Sequence, residues 1–180
     1  MLAACQTKPG EVHPRMPQMV VPVDPREPPQ PKDGTLQHGI EVGEVTLDGN
    51  AAGQIGSVGA ISRNDLREAL INTLASRGLL AASRPAYWLD MRISDARTPA
   101  IPGPFETQVG ITASYVLKDA QTGVEVWRAS ADTSAERKII TGLPEPVLME
   151  RDALEQALRD NMARMLGLLY QREASVLPPA

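Results

Sequence analysis

Few side chains in this sequence have the type and spacing to do chemistry. Two histidines occur, His13 and His38, and both lie in or beside a proline-rich stretch. A zinc site or a Ser-His-Asp triad needs a histidine held rigidly, which such a stretch does not offer. Both therefore read as solvated. Cys5 is the only cysteine, so an internal disulfide and a cysteine-based metal cluster are excluded. Ser57 and Ser62 have no rigid base near them in sequence. Acid-acid catalysis needs two carboxylates facing one another in a cleft. Here the acids are scattered, and Asp65, Glu68, Asp152 and Glu155 fall in expected first helical turns, where the helix dipole accounts for them. These residues point to no catalytic group, no cofactor and no metal, and the chain reads as a non-enzyme.

A glycine-rich run, DGNAAGQIGSVGA, carries Gly49, Gly53, Gly56 and Gly59 between a strand and a helix start. That position suits a phosphate site. However, no Gly-Lys-Ser/Thr follows, and the spacing GQIGSVG is not the dinucleotide pattern GxGxxG. The run reads instead as a mobile loop or one that orders on a partner, with Gln54, Ile55 and Val58 as its contact candidates.

The one residue whose setting suggests a modification is Cys5. Leu2-Ala3-Ala4-Cys5 is an apolar residue, two small residues and a cysteine, which resembles the bacterial lipobox. An export signal also has a basic start and an apolar run before its cleavage site, and these are not visible ahead of Met1. The lipobox resemblance implies that residues 1–5 are the remnant of a lipoprotein signal. It also implies that Cys5 carries a diacylglyceryl group and an N-acyl chain such as palmitate. More than one chain gives stable anchoring. Gln6 stands where an Asp would mark inner-membrane retention, which favours a periplasmic protein on the outer membrane.

Composition bounds the rest. The chain has 180 residues, a net charge of −4 and no run of Lys/Arg, so an electrostatic footprint for nucleic acid is missing. One Phe, three Tyr and two Trp are too few for a base-stacking platform. No apolar run reaches the roughly 18 residues of a spanning helix. Eight of the 16 prolines fall within the first 31 residues. Residues 6–36 show no helical or strand period, and their prolines oppose helix and central strand alike. They read as a disordered tether with a reach on the order of 90 Å if extended. The alternative is a strap docked through Met16, Met19, Val20 and Val21.

Residues 37–175 read as the folded head, with 176–180 a disordered tail. Residues 40–47 are strand-like, with a phase break near Gly43. Ser62 caps a helix, Ile61 and Leu66 staple it, and Gly78 ends it. Residues 87–94 alternate: Tyr87, Leu89, Met91 and Ile93 face one way and Trp88, Asp90, Arg92 and Ser94 the other. Val109, Ile111, Ala113, Tyr115 and Leu117 alternate again, and 107–134 form a hairpin around Lys118–Gly123. Pro144 and Pro146 precede a long helix near 148–171, with a stripe through Leu154, Leu158, Met162, Met165 and Leu169 that reads as core. The order β-α-β-β-β-α predicts an α+β two-layer sandwich, a mostly antiparallel sheet with two helices on one face. If Val124 and Val126 face that core, Trp127 points outward beside Trp88 and Val116. Those three residues then form an apolar contact patch on the open face.

The lipobox, NDLREALINTLASRGLL with YWLDMRI, and ITASYVLKDAQTGVEVW with ERDALEQALRDNMARML together resemble small bacterial periplasmic lipoproteins. The likeness is to the YajG-like group and, more loosely, to the transport-auxiliary lipoproteins. It implies an α+β head, no cofactor and no enzymatic residues. The function expected from it is an anchored accessory protein that binds an envelope protein in an outer-membrane or cell-wall assembly. A carrier of lipid or another apolar ligand is the alternative, and an envelope hydrolase is a third.

Overall fold

The computed structural model describes residues 12–24, 34, 36–98, 106–138 and 145–176, with side chains to residue 171. A short helix α1 (Met16–Met19) leads into strand β1 (Ile40–Leu47), helix α2 (Arg63–Ser76), strands β2 (Tyr87–Arg97), β3 (Glu106–Asp119) and β4 (Glu125–Lys138), and helix α3 (Pro146–Val176). The sheet order is β1-β2-β3-β4. β1 and β2 run parallel, joined by the α2 crossover, and the other two pairs are antiparallel. This is the expected α+β sandwich.

The local signals act as their chemistry requires. Ser62 Oγ accepts from Asp65 N at 3.2 Å and caps α2. Gly78, at φ +68°, follows the helix end. The phase break in β1 is a register shift between Val42 and Val45 that keeps both on the buried side. α3 starts two residues earlier than the periodicity suggests, with Pro146 in its first turn. Asp152 and Glu155 consequently lie beyond the first turn, and the helix dipole is not what they serve.

The core lies between the sheet and the two long helices. Leu89, Met91 and Ile93 of β2 and Val109, Ile111, Ala113, Tyr115 and Leu117 of β3 are buried in one cluster with the apolar residues of α2 and α3. A buried polar pair bridges this layer. Tyr115 Oη donates to Asn161 Oδ1 at 2.8 Å, and Asn161 Nδ2 donates to the carbonyls of Ile111 (3.2 Å) and Ala131 (3.0 Å). Burial pushes the Tyr115 hydroxyl far above the ordinary tyrosine range, so it stays a donor.

The tether expectation is corrected for residues 12–24, which form a strap on the helical layer. Met19 and Val21 are buried, and Arg15 grips Glu155 with its backbone N (2.7 Å), Nε (3.0 Å) and Nη2 (2.8 Å). Val21 N donates to Thr73 Oγ1 at 3.1 Å. Two apolar anchors with backbone bonds suffice here because α1 packs against both α2 and α3. Leu36 is also buried, so the head begins before residue 37. The rest of the proposed tether, 6–11 and most of 25–35, and the tail at 177–180 lie outside the described residues.

Candidate functional site: the open face and the glycine-rich cap

With both helices on one side, no element among the described residues covers the other side of the sheet. Trp88, Asp90 and Arg92 of β2, Ser114, Val116 and Lys118 of β3, and Arg128, Ser130 and Asp132 of β4 occupy it, as their cross-strand pairings show. Trp88 is 41% exposed, flanked by Glu41 on β1 and Lys118 on β3. Val116 is half-buried and pairs with Asp90 and Arg128.

Trp127 does not join them. It pairs with Leu117, a core residue, and lies half-buried against the helical layer. The reason is a bulge: Lys118 pairs with Glu125 and Leu117 with Trp127, leaving Val126 as the extra residue. An extra residue reverses the alternation, so counting from Val124 puts Trp127 on the wrong face. Val124 itself is 60% exposed in the turn. The predicted apolar patch therefore reduces to Trp88 and Val116.

Charge dominates what remains. Lys118 Nζ meets Asp90 at 2.6 Å, Arg128 meets Glu125 at 2.6 Å, Arg97 meets Asp132 at 2.8 Å, and Arg92 pairs with Asp48. The hydrogen bond that Lys118 donates to Asp90 raises the Lys118 pKa, and the one that Arg128 donates to Glu125 lowers the Glu125 pKa. Two hollows open on this face. One, of about 200 Å³, is lined by Glu44, Asp90, Arg92, Ser114, Val116 and Arg128. The other, of about 390 Å³, is lined by Arg97, Gln108, Gly110, Asp132 and Ser134. Of their three acids, Asp90 and Asp132 are ion-paired within the face, and their walls are mixed polar and aliphatic.

The glycine-rich run is docked rather than loose. Ile55 and Val58 bond each other in both directions, at 3.1 and 3.0 Å, and both are buried. This corrects them as contact candidates, whereas Gln54 is exposed. Asn50 ties the run to the end of β2, donating to Asp95 Oδ1 and accepting from Ala96 N. Ser57 N donates to the buried Glu150 Oε2 at 2.8 Å, and Gly59 N donates to the Val12 carbonyl at 2.8 Å. No spacing rule announces Glu150, because a surface acid at a helix start looks the same in sequence. Cys5 lies outside the described residues.

No family model matches the chain, and no curated protein is similar to it in sequence. Solved structures share its fold. A Xanthomonas campestris protein of the DUF330 family superposes with a TM-score of 0.58 at 15% identity, covering 83% of this chain and 94% of that one. A candidate lipoprotein from Caulobacter crescentus gives 0.52 at 23% identity, covering 76% and 92%. A hypothetical protein from Chlamydia trachomatis gives 0.53 at 6%, covering 74% and 96%. At these identities the likeness establishes the fold. Among the described residues no helix is long and apolar enough to cross a membrane.

Proposed function

We propose that this chain is a lipid-anchored envelope lipoprotein, acylated at Cys5, whose head binds a protein partner through its open sheet face and catalyses nothing. The observation that carries the binding half is the open face itself, which no described element covers. Four strands, two of them 14 residues long, turn a surface of ion pairs to solvent with a single indole, Trp88, exposed among them. A large aromatic in a polar surround is the usual make-up of an interface anchor. The mixed, charge-bearing walls of the two hollows favour a protein over an apolar ligand. The anchoring half rests on Leu2-Ala3-Ala4-Cys5, with the candidate lipoprotein of the same fold beside it. Gln6 favours the outer membrane.

Two measurements test this. Mass spectrometry of the N-terminal peptide, from protein made with its native upstream reading frame, should find Cys5 as the first residue with diacylglyceryl and acyl additions. A free thiol removes the anchor. A photo-crosslinking residue at Trp88 should then give one discrete envelope-protein adduct in cells, while the same residue at exposed Glu68 on α2 gives none. No adduct at Trp88, or equal adducts at both, removes the binding face.

A further inference from the structure

We infer that the uncharged cap formed by residues 49–61 is the surface this protein lays against the lipid bilayer. The inference rests on the proposed acylation of Cys5, and the strap supplies the geometry. At the first described residue of the strap, the Val12 carbonyl takes the Gly59 N–H, and the chain then climbs. Arg15 bonds Asp152 and Glu155, the Gln18 carbonyl takes Arg159 Nη1 at 2.9 Å, Val21 reaches Thr73, and the Pro22 carbonyl takes Arg77 Nη2 at 3.1 Å. It therefore runs with α2 and α3 toward their C-terminal ends, away from the cap.

Only seven residue steps separate Cys5 from Val12. At full extension they span about 25 Å. A domain of this size has a radius of gyration of roughly 15 Å, so the leash is shorter than the head is wide. While the strap is docked, the pole at Val12 and the cap stays near the bilayer. The opposite pole, with Trp88, Trp127 and the Gly123 turn, is held away from it. The chemistry of the cap agrees. No charged residue occurs from Gly49 to Ser62, and the flanking charges are Asp48 and Arg63. Gly53, Gln54, Ser57 and Ala60 are exposed, while Ile55 and Val58 pin the cap to the core. Such a surface approaches headgroups without stripping water from an ion. It also leaves the open sheet face free for its partner.

The test uses the full chain attached through Cys5 in two ways: acylated by the cell, and purified with the Cys5 thiol coupled to a maleimide lipid. Each is placed in phosphatidylethanolamine–phosphatidylglycerol vesicles carrying a headgroup nitroxide quencher. Native tryptophan emission reports the far pole, and Gln54→Trp adds a reporter on the cap. With the leash this short, the emission added by Gln54→Trp should be quenched roughly twofold more than the native emission, or more. Equal quenching, or stronger quenching of the native tryptophans, overturns the inference. Met19→Asp, which undocks the strap, should erase the difference with the protein still vesicle-bound; a difference that persists also overturns it. Absence of lipid on the cell-made protein sinks the proposed function, whereas equal quenching in the maleimide-coupled protein sinks the inference alone.

Discussion

Asn161, midway along α3, and Tyr115, on the third strand, are both fully buried and share a 2.8 Å hydrogen bond that joins the helical layer to the sheet. The same amide donates to two strand carbonyls and lies 3.1 Å from Thr133 Oγ1. Asn161→Ala strands these partners in an apolar layer, where an unmet polar group costs about 1–3 kcal/mol. Urea titration should show a loss of about 3 kcal/mol for Asn161→Ala and about 1–2 for Tyr115→Phe. Tyr115→Phe combined with Asn161→Leu should recover part of the loss, because no polar atom is then left unpaired.

Gly56 and Glu150 make a second contact that admits one residue type. Gly56 has φ +58°, and a Cβ there would overlap the Glu150 carboxylate. Gly56→Ala combines left-handed strain of about 1–2 kcal/mol with displacement of a buried carboxylate that holds Ser57 N. A loss of about 2–4 kcal/mol is expected, with faster amide exchange at Ser57. In a Glu150→Ala background the same change should cost only the strain, about 1–2 kcal/mol.

The two tryptophans should separate cleanly. Trp127→Ala removes a half-buried ring packed on the core and should cost about 2 kcal/mol, below the range for a fully buried aromatic. Trp88→Ala, on the open face, should stay within about 0.5 kcal/mol. Thermal or urea unfolding of both variants checks the face assignment directly.

That assignment also shows what sequence can carry. The buried sides of β2 and β3 were legible because every second residue is apolar from Leu89 to Ile93 and from Val109 to Leu117. α2 was legible from its cap, staple and terminal glycine. Trp127 was not, because the bulge at Val126 leaves no mark in composition and one extra residue reverses every later side chain. The strap was not decided either: Met19 and Val21 bury without any period, and its hold on Glu155 is a contact across 140 positions of sequence. The parallel pairing of β1 with β2 follows from the α2 crossover between them, a connection that parallel neighbours require.

Asp119 gives a pH test in the β3–β4 turn. Its carboxylate accepts from Gln121 N (3.0 Å), Thr122 N (2.8 Å) and Thr122 Oγ1 (2.9 Å), and the Thr122 bonds above all hold its pKa below the ordinary 3.8. A folded value depressed below the unfolded one contributes stability that is fully present above the unfolded pKa. That contribution is lost as pH falls through the folded value. Asp119→Ala should therefore melt below the parent at neutral pH, with the gap closing in strong acid. Carboxyl NMR titration should place Asp119 below other exposed aspartates, and Thr122→Val should bring it part of the way back.

The strap depends on one buried acid. Glu155 is 3% exposed and accepts three N–H bonds from Arg15, and its hydrogen bond is the main cause that raises the Arg15 pKa. Removing one partner of a fully buried pair costs about 3–5 kcal/mol. The Arg15 side chain is 47% exposed and water can enter, so about 1–2 kcal/mol is expected for Arg15→Ala. The loss should be local: the Val21 amide should exchange faster, and protease should cut within 12–24, while the Leu117 amide in the sheet stays protected. Arg15→Lys should restore only part of the protection, because an ammonium cannot present the fork that grips both carboxylate oxygens. If sheet and strap amides lose protection together in Arg15→Ala, the strap is part of the cooperative core and cannot be released without unfolding the head.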